Sequence, residues 1–184
     1  MRDTESAQRA RRIAVVGTTG SGKTTLARQV AQRLGIPHVE QDALHWDPNW
    51  TPVPTDVFRD RMAQALQGEG WVTDGNYRQV RDTVWSRANT VVWLDYGLPL
   101  ILWRVARRTL RRCVTREELW NGNREEVQQA FFSRESLFLW VLRTYRRRRK
   151  EYPELFAQPG YTQLAVVHLR SQRATREWLE SLTP

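Results

Sequence analysis

The sequence predicts a three-layer α/β fold in which helices cover both faces of a five-stranded parallel sheet. Three observations lead there. An apolar segment runs directly into a glycine-rich loop and a helical pattern, and four more short apolar segments follow. Helical patterns fill most of the intervals between them, which is the alternation that parallel pairing requires.

Taken in order, a polar stretch through about Arg11 is expected to be mobile. Ile13-Ala14-Val15-Val16 then reads as a buried strand ending at Gly17. Such a continuous apolar run suits a strand covered on both faces. The pattern from Thr24 to Leu34 is helical, and Gly35-Ile36-Pro37 closes it, because Gly suits a C-terminal cap and Pro cannot continue the helix. His38-Val39-Glu40 is a second short strand. Thr55 is expected to cap a helix running to Leu66. Trp71-Val72-Thr73 and Thr90-Val91-Val92-Trp93-Leu94 are the third and fourth strands, bounded by Gly, Asp or Asn at the turns. Leu164–Leu169 is the fifth, and a last helix is expected near Thr175–Leu182. Almost seventy residues separate strands four and five, too many for one crossover helix, so the spacing predicts a helical insertion there.

With 184 residues, 40% of them hydrophobic, and nine Trp, the chain can bury one substantial core, and residues 1–184 are expected to form one domain. The absence of a long apolar run argues against a membrane span or signal peptide and leads to an expectation of a cytoplasmic protein. A lone Cys113 rules out an intrachain disulfide, and His38, His45 and His168 are too scattered for a zinc cluster. The net charge of +9 is concentrated: residues 104–150 hold fourteen Arg or Lys against five Glu, so this segment alone accounts for it.

Gly17-Thr18-Thr19-Gly20-Ser21-Gly22-Lys23-Thr24 matches G-x-x-x-x-G-K-[ST], between a strand and a helix as the motif requires. Glycines let the backbone wrap a phosphate, and the loop N–H groups and helix N-terminus face its charge. Lys23 can bridge the β- and γ-phosphates, and Thr24 can offer its hydroxyl to Mg²⁺. With Thr25 next in the helix, Gly17 to Thr25 form the expected site for ATP, with Mg²⁺ as its companion.

Beyond the loop, the chain resembles the nucleoside-monophosphate-kinase group of P-loop proteins, to which adenylate kinase belongs, over about residues 12–110 and 164–182. Asp74-Gly75-Asn76-Tyr77-Arg78 resembles that group's Asp-Gly-Phe-Pro-Arg. By this resemblance Asp74 helps hold hydrated Mg²⁺ and Arg78 contacts transferred or acceptor phosphate. Leu94-Asp95 precedes Arg104 and Arg108 by the interval that separates a similar Leu-Asp from two lid arginines, one stacking on adenine and one touching phosphates. Arg104 and Arg108, at i and i+4, share a helix face. Arg148, in the Arg146–Arg149 run, serves as the ordinary arginine against which they are measured. Asp95 reads as a strand-ending residue, and Ser171-Gln172-Arg173 lies where the group cradles adenine.

Two departures shape the acceptor expectation. Glu40-Gln41-Asp42-Ala43-Leu44-His45-Trp46-Asp47-Pro48-Asn49-Trp50 replaces the AMP-receiving stretch, and Asp82 stands where a base-reading Gln is expected. Asp42 resembles the Asp of shikimate- and gluconate-type kinases, which contacts and can deprotonate an acceptor hydroxyl. The alternative for Asp42 is a cap or turn residue. His45 reads as a surface or satisfied residue, and Trp46 with Trp50 as packing under a loop. The whole pattern resembles small kinases described as "topology modulation" or adenylate-kinase-related proteins. The implied activity is ATP- and Mg²⁺-dependent transfer to a hydroxyl metabolite or a nucleotide. A nucleic-acid-binding P-loop NTPase remains the alternative, because Trp103, Trp120, Phe131, Phe132, Phe138 and Trp140 interleave with the basic segment.

Overall fold

The structure, a computed structural model, describes residues 11–115, 118–123 and 137–183, with only the backbone of Cys113 and of residues 137–140. The stretch before Arg11 and the rings of Phe131, Phe132, Phe138 and Trp140 lie outside the described residues or side chains.

Five parallel strands form the central sheet: β1 (Arg12–Gly17), β2 (His38–Glu40), β5 (Trp71–Asp74), β6 (Thr90–Leu94) and β7 (Ala165–Leu169), in the spatial order β2-β5-β1-β6-β7. Between β2 and β5 lie α2 (Gln41–His45), a two-stranded hairpin of β3 (Trp46–Asp47) and β4 (Thr51–Pro52), and α3 (Thr55–Ala65). The remaining helices are α1 (Lys23–Leu34), α4 (Arg81–Trp85), α5 (Leu98–Thr115), α6 (Leu137–Phe156) and α7 (Gln172–Ser181).

Side chains alternate across each strand, so one strand feeds two cores. Ala14, Val16, Trp71, Val91 and Trp93 pack on one face with Phe58 and Met62 of α3 and Val84 and Trp85 of α4. Ile13, Val15, Val72, Val92 and Leu94 pack on the other with Leu26, Ala27 and Val30 of α1 and Ile101 and Val105 of α5. Fully burying a side chain such as Val30 or Phe58 stabilises the fold by about 1.5–3 kcal/mol, so the doubly covered sheet dominates its stability.

Two helix boundaries differ from expectation. Pro54, not Thr55, precedes α3 as its N-cap, because its ring holds an extended entry while Thr55 has already joined the first turn. The last helix begins at Gln172, three residues early, because the Ser171 hydroxyl accepts the Ala174 N–H at 3.1 Å and caps it. The expected basic insertion is represented by α5 and α6. Helix α6 spans both cores: Val141 and Tyr145 belong to the α1 side, and Tyr152 to the α3 side. No helix among the described residues is long and apolar enough to cross a membrane.

Candidate active site

Parallel register brings the functional residues to one edge of the sheet. Val15 pairs with Asp74, Asp74 with Glu40, and Gly17 with Leu94, so the carboxyl ends of four strands open into a common cleft. Ligand sites in open α/β sheets gather at such an edge. The cleft measures about 1540 Å³ and is lined by Thr19 to Thr25 of the loop and by Asp42, Asp74, Arg78, Arg104 and Arg108. Gly17 and Thr18 lie behind this lining: Thr18 is buried and its carbonyl accepts the Ser21 N–H at 3.0 Å.

The loop has the features of a phosphate cradle. Gly20 has φ +83, and a Cβ there would lie 2.4 Å from Val105 Cγ2, so α5 packs against a backbone that only glycine permits. Ser21 Oγ is buried without a hydrogen-bond partner. Lys23 is half-buried in the cleft wall, and its pKa is lowered to about 8, first by loss of surrounding water and then by the Arg148 guanidinium, against the opposing pull of Asp74 and Asp42. A half-buried cation and an unpartnered hydroxyl suit an anionic phosphate chain.

Thr24 Oγ1 donates to Asp74 Oδ2 at 2.6 Å, which joins the hydroxyl and carboxylate expected to serve Mg²⁺. This hard oxygen pair fits a cation that keeps most of its waters. His38 Nε2 bonds Asp74 Oδ1 at 2.7 Å, so both oxygens of this nearly buried carboxylate are held. His38 carries no sequence signal, because its proximity to Asp74 depends on β2 lying beside β5.

Asp42 sits in the first turn of α2, whose N-cap position is Glu40, so it is not the cap. Tyr77 O–H donates to Asp42 Oδ1 at 2.6 Å, and burial followed by the neighbouring carboxylate pushes the Tyr77 pKa up. Tyr77 therefore stays a donor that orients Asp42. His45 is not a surface residue: it is buried against Trp46, Phe58 and Tyr77, its Nδ1 has no hydrogen-bond partner, and burial lowers its pKa. Trp46 and Trp50 line the cleft instead of packing beneath a loop.

The arginines sort differently from expectation. Arg104 Nη1 donates to the Ser21 carbonyl at 2.9 Å, with its guanidinium 5.2 Å from the centre of the Tyr96 ring. Arg108 and Arg78 also line the cleft, the latter in an ion pair with Glu151. Arg148 is not an ordinary surface arginine. It is 8% exposed, Nη1 donates to the Gly17 carbonyl at 3.4 Å, and burial lowers its pKa. Its neighbours in the arginine run gave no sequence sign of this difference. Only the path of α6 over the strand ends selects it. Asp95 also does more than end a strand: buried, it accepts bonds from Arg149 and His168, the latter at 3.0 Å. Gln172 lines the cleft at the start of α7.

Residues 13–95 match the family model described as ATPase family associated with various cellular activities (AAA). The chain is 32% identical over 128 residues to a shikimate kinase of Dechloromonas aromatica, covering 59% of this chain and 67% of the relative. Among solved structures, a shikimate kinase from Acinetobacter baumannii in complex with shikimate aligns with a TM-score of 0.57 at 17% identity, over 96% of this chain and 93% of that one. A gluconokinase from Sinorhizobium meliloti 1021 aligns with a TM-score of 0.53 at 20% identity, over 94% and 93%. These two share the fold. The chain belongs to the family of P-loop kinases that includes the shikimate kinases, and it is an ATP- and Mg²⁺-dependent phosphotransferase acting on a small molecule.

Proposed function

We propose that this kinase phosphorylates a hydroxyl of a small metabolite, with Asp42 as the group that positions and deprotonates it. The observation that carries this reading is Asp42 itself: a carboxylate on the cleft wall, oriented by Tyr77 and within electrostatic reach of Lys23. ATP with Mg²⁺ supplies the electrophilic γ-phosphoryl group. Lys23, the loop N–H groups, Arg104, Arg108 and Arg148 would neutralise the phosphate oxygens, and Thr24 and Asp74 would hold the metal, which would draw charge from the transferring group. Arg78, also in the cleft lining, would meet the transferred or acceptor phosphate. Transfer forms one bond from the acceptor oxygen to phosphorus and breaks the bond to the ADP oxygen, while the hydroxyl proton passes to Asp42. Positioning and charge neutralisation supply most of the acceleration in such reactions.

Within the family, Asp42, Trp46 and Asp74-Gly75-Asn76-Tyr77 support kinship with the adenylate-kinase-related "topology modulation" kinases. A cytoplasmic setting, where ATP and Mg²⁺ are plentiful, suits this chemistry.

The test is Asp42→Asn in a phosphotransfer assay with γ-labelled ATP, with ATP titration and thermal melting in parallel. Transfer should slow by about 10²–10⁴-fold while ATP affinity is retained. Near-normal transfer would sink the proposal.

A further inference from the structure

The hairpin end of the cleft is built by two segments that clasp one another. Asn123, 4% exposed, accepts the Trp50 N–H at 2.7 Å and donates to the carbonyls of Asp47 at 3.0 Å and Trp120 at 2.9 Å. Asn121 donates to the Trp46 carbonyl. This clasp holds Asn49 at φ 61 and Trp50 at φ 54. A left-handed backbone is costly for a bulky side chain and persists only where its surroundings impose it.

The strain has a geometric product. Trp46, Trp50 and Trp120 all line the cleft, each half-buried, with interplanar angles of 81° between Trp46 and Trp50 and 76° between Trp50 and Trp120. Parallel rings would sandwich a flat base, whereas perpendicular indoles form a corner that meets a puckered ring along its C–H faces and edge. The carboxylates of Glu40 and Asp42 line the same end, and the Trp120 side chain hydrogen-bonds Glu40. Ionised carboxylates only accept hydrogen bonds, so they favour hydroxyl or amine donors and repel an acid.

Among the arginines that line the cleft, Arg104 and Arg148 donate to carbonyls of the phosphate loop beside Lys23, and Arg78 shares its charge with Glu151. At the tryptophan corner the contacts join the indoles to one another and Trp120 to the Glu40 carboxylate. Resting on the reading that a hydroxyl is phosphorylated beside Asp42, we infer that the acceptor is a saturated ring polyol without negative charge, seated in the tryptophan corner.

The experiment runs parallel reactions with γ-labelled ATP, Mg²⁺ and one of myo-inositol, glucose, glucosamine, shikimate, gluconate or adenosine. It is repeated with Trp50→Leu and Trp50→Tyr, their folding checked by melting. A ring polyol should exceed shikimate, gluconate and adenosine in kcat/KM by about tenfold or more. Trp50→Leu should raise its KM about tenfold with a smaller change in kcat, and Trp50→Tyr should recover most of the loss. Preference for either acid or for adenosine overturns the inference but leaves hydroxyl transfer standing. An unchanged KM in Trp50→Leu also overturns it. Release of labelled phosphate to water alone, with every acceptor, overturns both.

Discussion

The side-chain amide of Asn76 holds both backbone groups of Gly17: Nδ2 donates to the Gly17 carbonyl at 2.7 Å, and Oδ1 accepts the Gly17 N–H at 3.2 Å. Tyr152 of α6 donates to the same Oδ1 at 2.7 Å, so one amide ties the start of the phosphate loop to the helix crossing above it. Removing a partner from buried polar groups costs about 1–3 kcal/mol. Asn76→Ala should therefore lower the melting temperature by several degrees and weaken ATP binding. Asn76→Asp should be no milder, because a carboxylate would face the Gly17 carbonyl. Melting curves and ATP titration check both, and wild-type behaviour of the alanine variant would show that the bridge is dispensable.

Lys23 predicts a pH dependence. Its pKa of about 8 means that the ammonium is lost from the free protein as pH rises through that value, whereas bound phosphates favour it. ATP affinity should thus fall with rising pH above 8, by at most about tenfold per pH unit for one linked proton. Arg148 depresses this pKa, so Arg148→Met should move the onset of the fall to higher pH. Titrations from pH 6.5 to about pH 9.5 measure both the slope and its displacement. An affinity independent of pH across that range would contradict the assignment.

The buried position of Arg148 separates it from its neighbours. Arg148→Ala should reduce kcat/KM for ATP by about tenfold or more, as loss of a cation facing phosphate does, and Arg104→Ala should act in the same direction. Arg146 is exposed and absent from the cleft lining, so Arg146→Ala should stay within about twofold. Steady-state kinetics on variants of matched thermal stability decide this. Equal effects at 146 and 148 would remove the special status of Arg148.

Gly20 offers a steric test. A methyl group at this position meets Val105 Cγ2 and must adopt φ +83, so Gly20→Ala should displace the loop and weaken ATP binding by about tenfold. Adding Val105→Ala removes the collision but not the backbone strain, and recovery should be partial. Full recovery would mean that crowding alone is responsible, and no loss in the single variant would refute the packing argument.

The sequence by itself determined the fold class, the five sheet strands to within a residue at their ends, and the glycine-rich turn that joins β1 to α1. These are local: apolar runs, turn residues and glycine spacing act within a few positions of the chain. The hairpin at Trp46–Pro52 escaped notice because strands of two residues carry no periodicity. Tertiary structure alone decided which side chains meet. His38 reaches Asp74 because β2 pairs with β5, Tyr77 reaches Asp42 across the same strand ends, and Arg148 is chosen from four consecutive arginines because α6 turns that one toward Gly17. Trp50 takes a left-handed backbone because Asn123, far away in the chain, receives its N–H. Such contacts follow from strand order and helix path, quantities set by the packing of the whole sheet between its two cores.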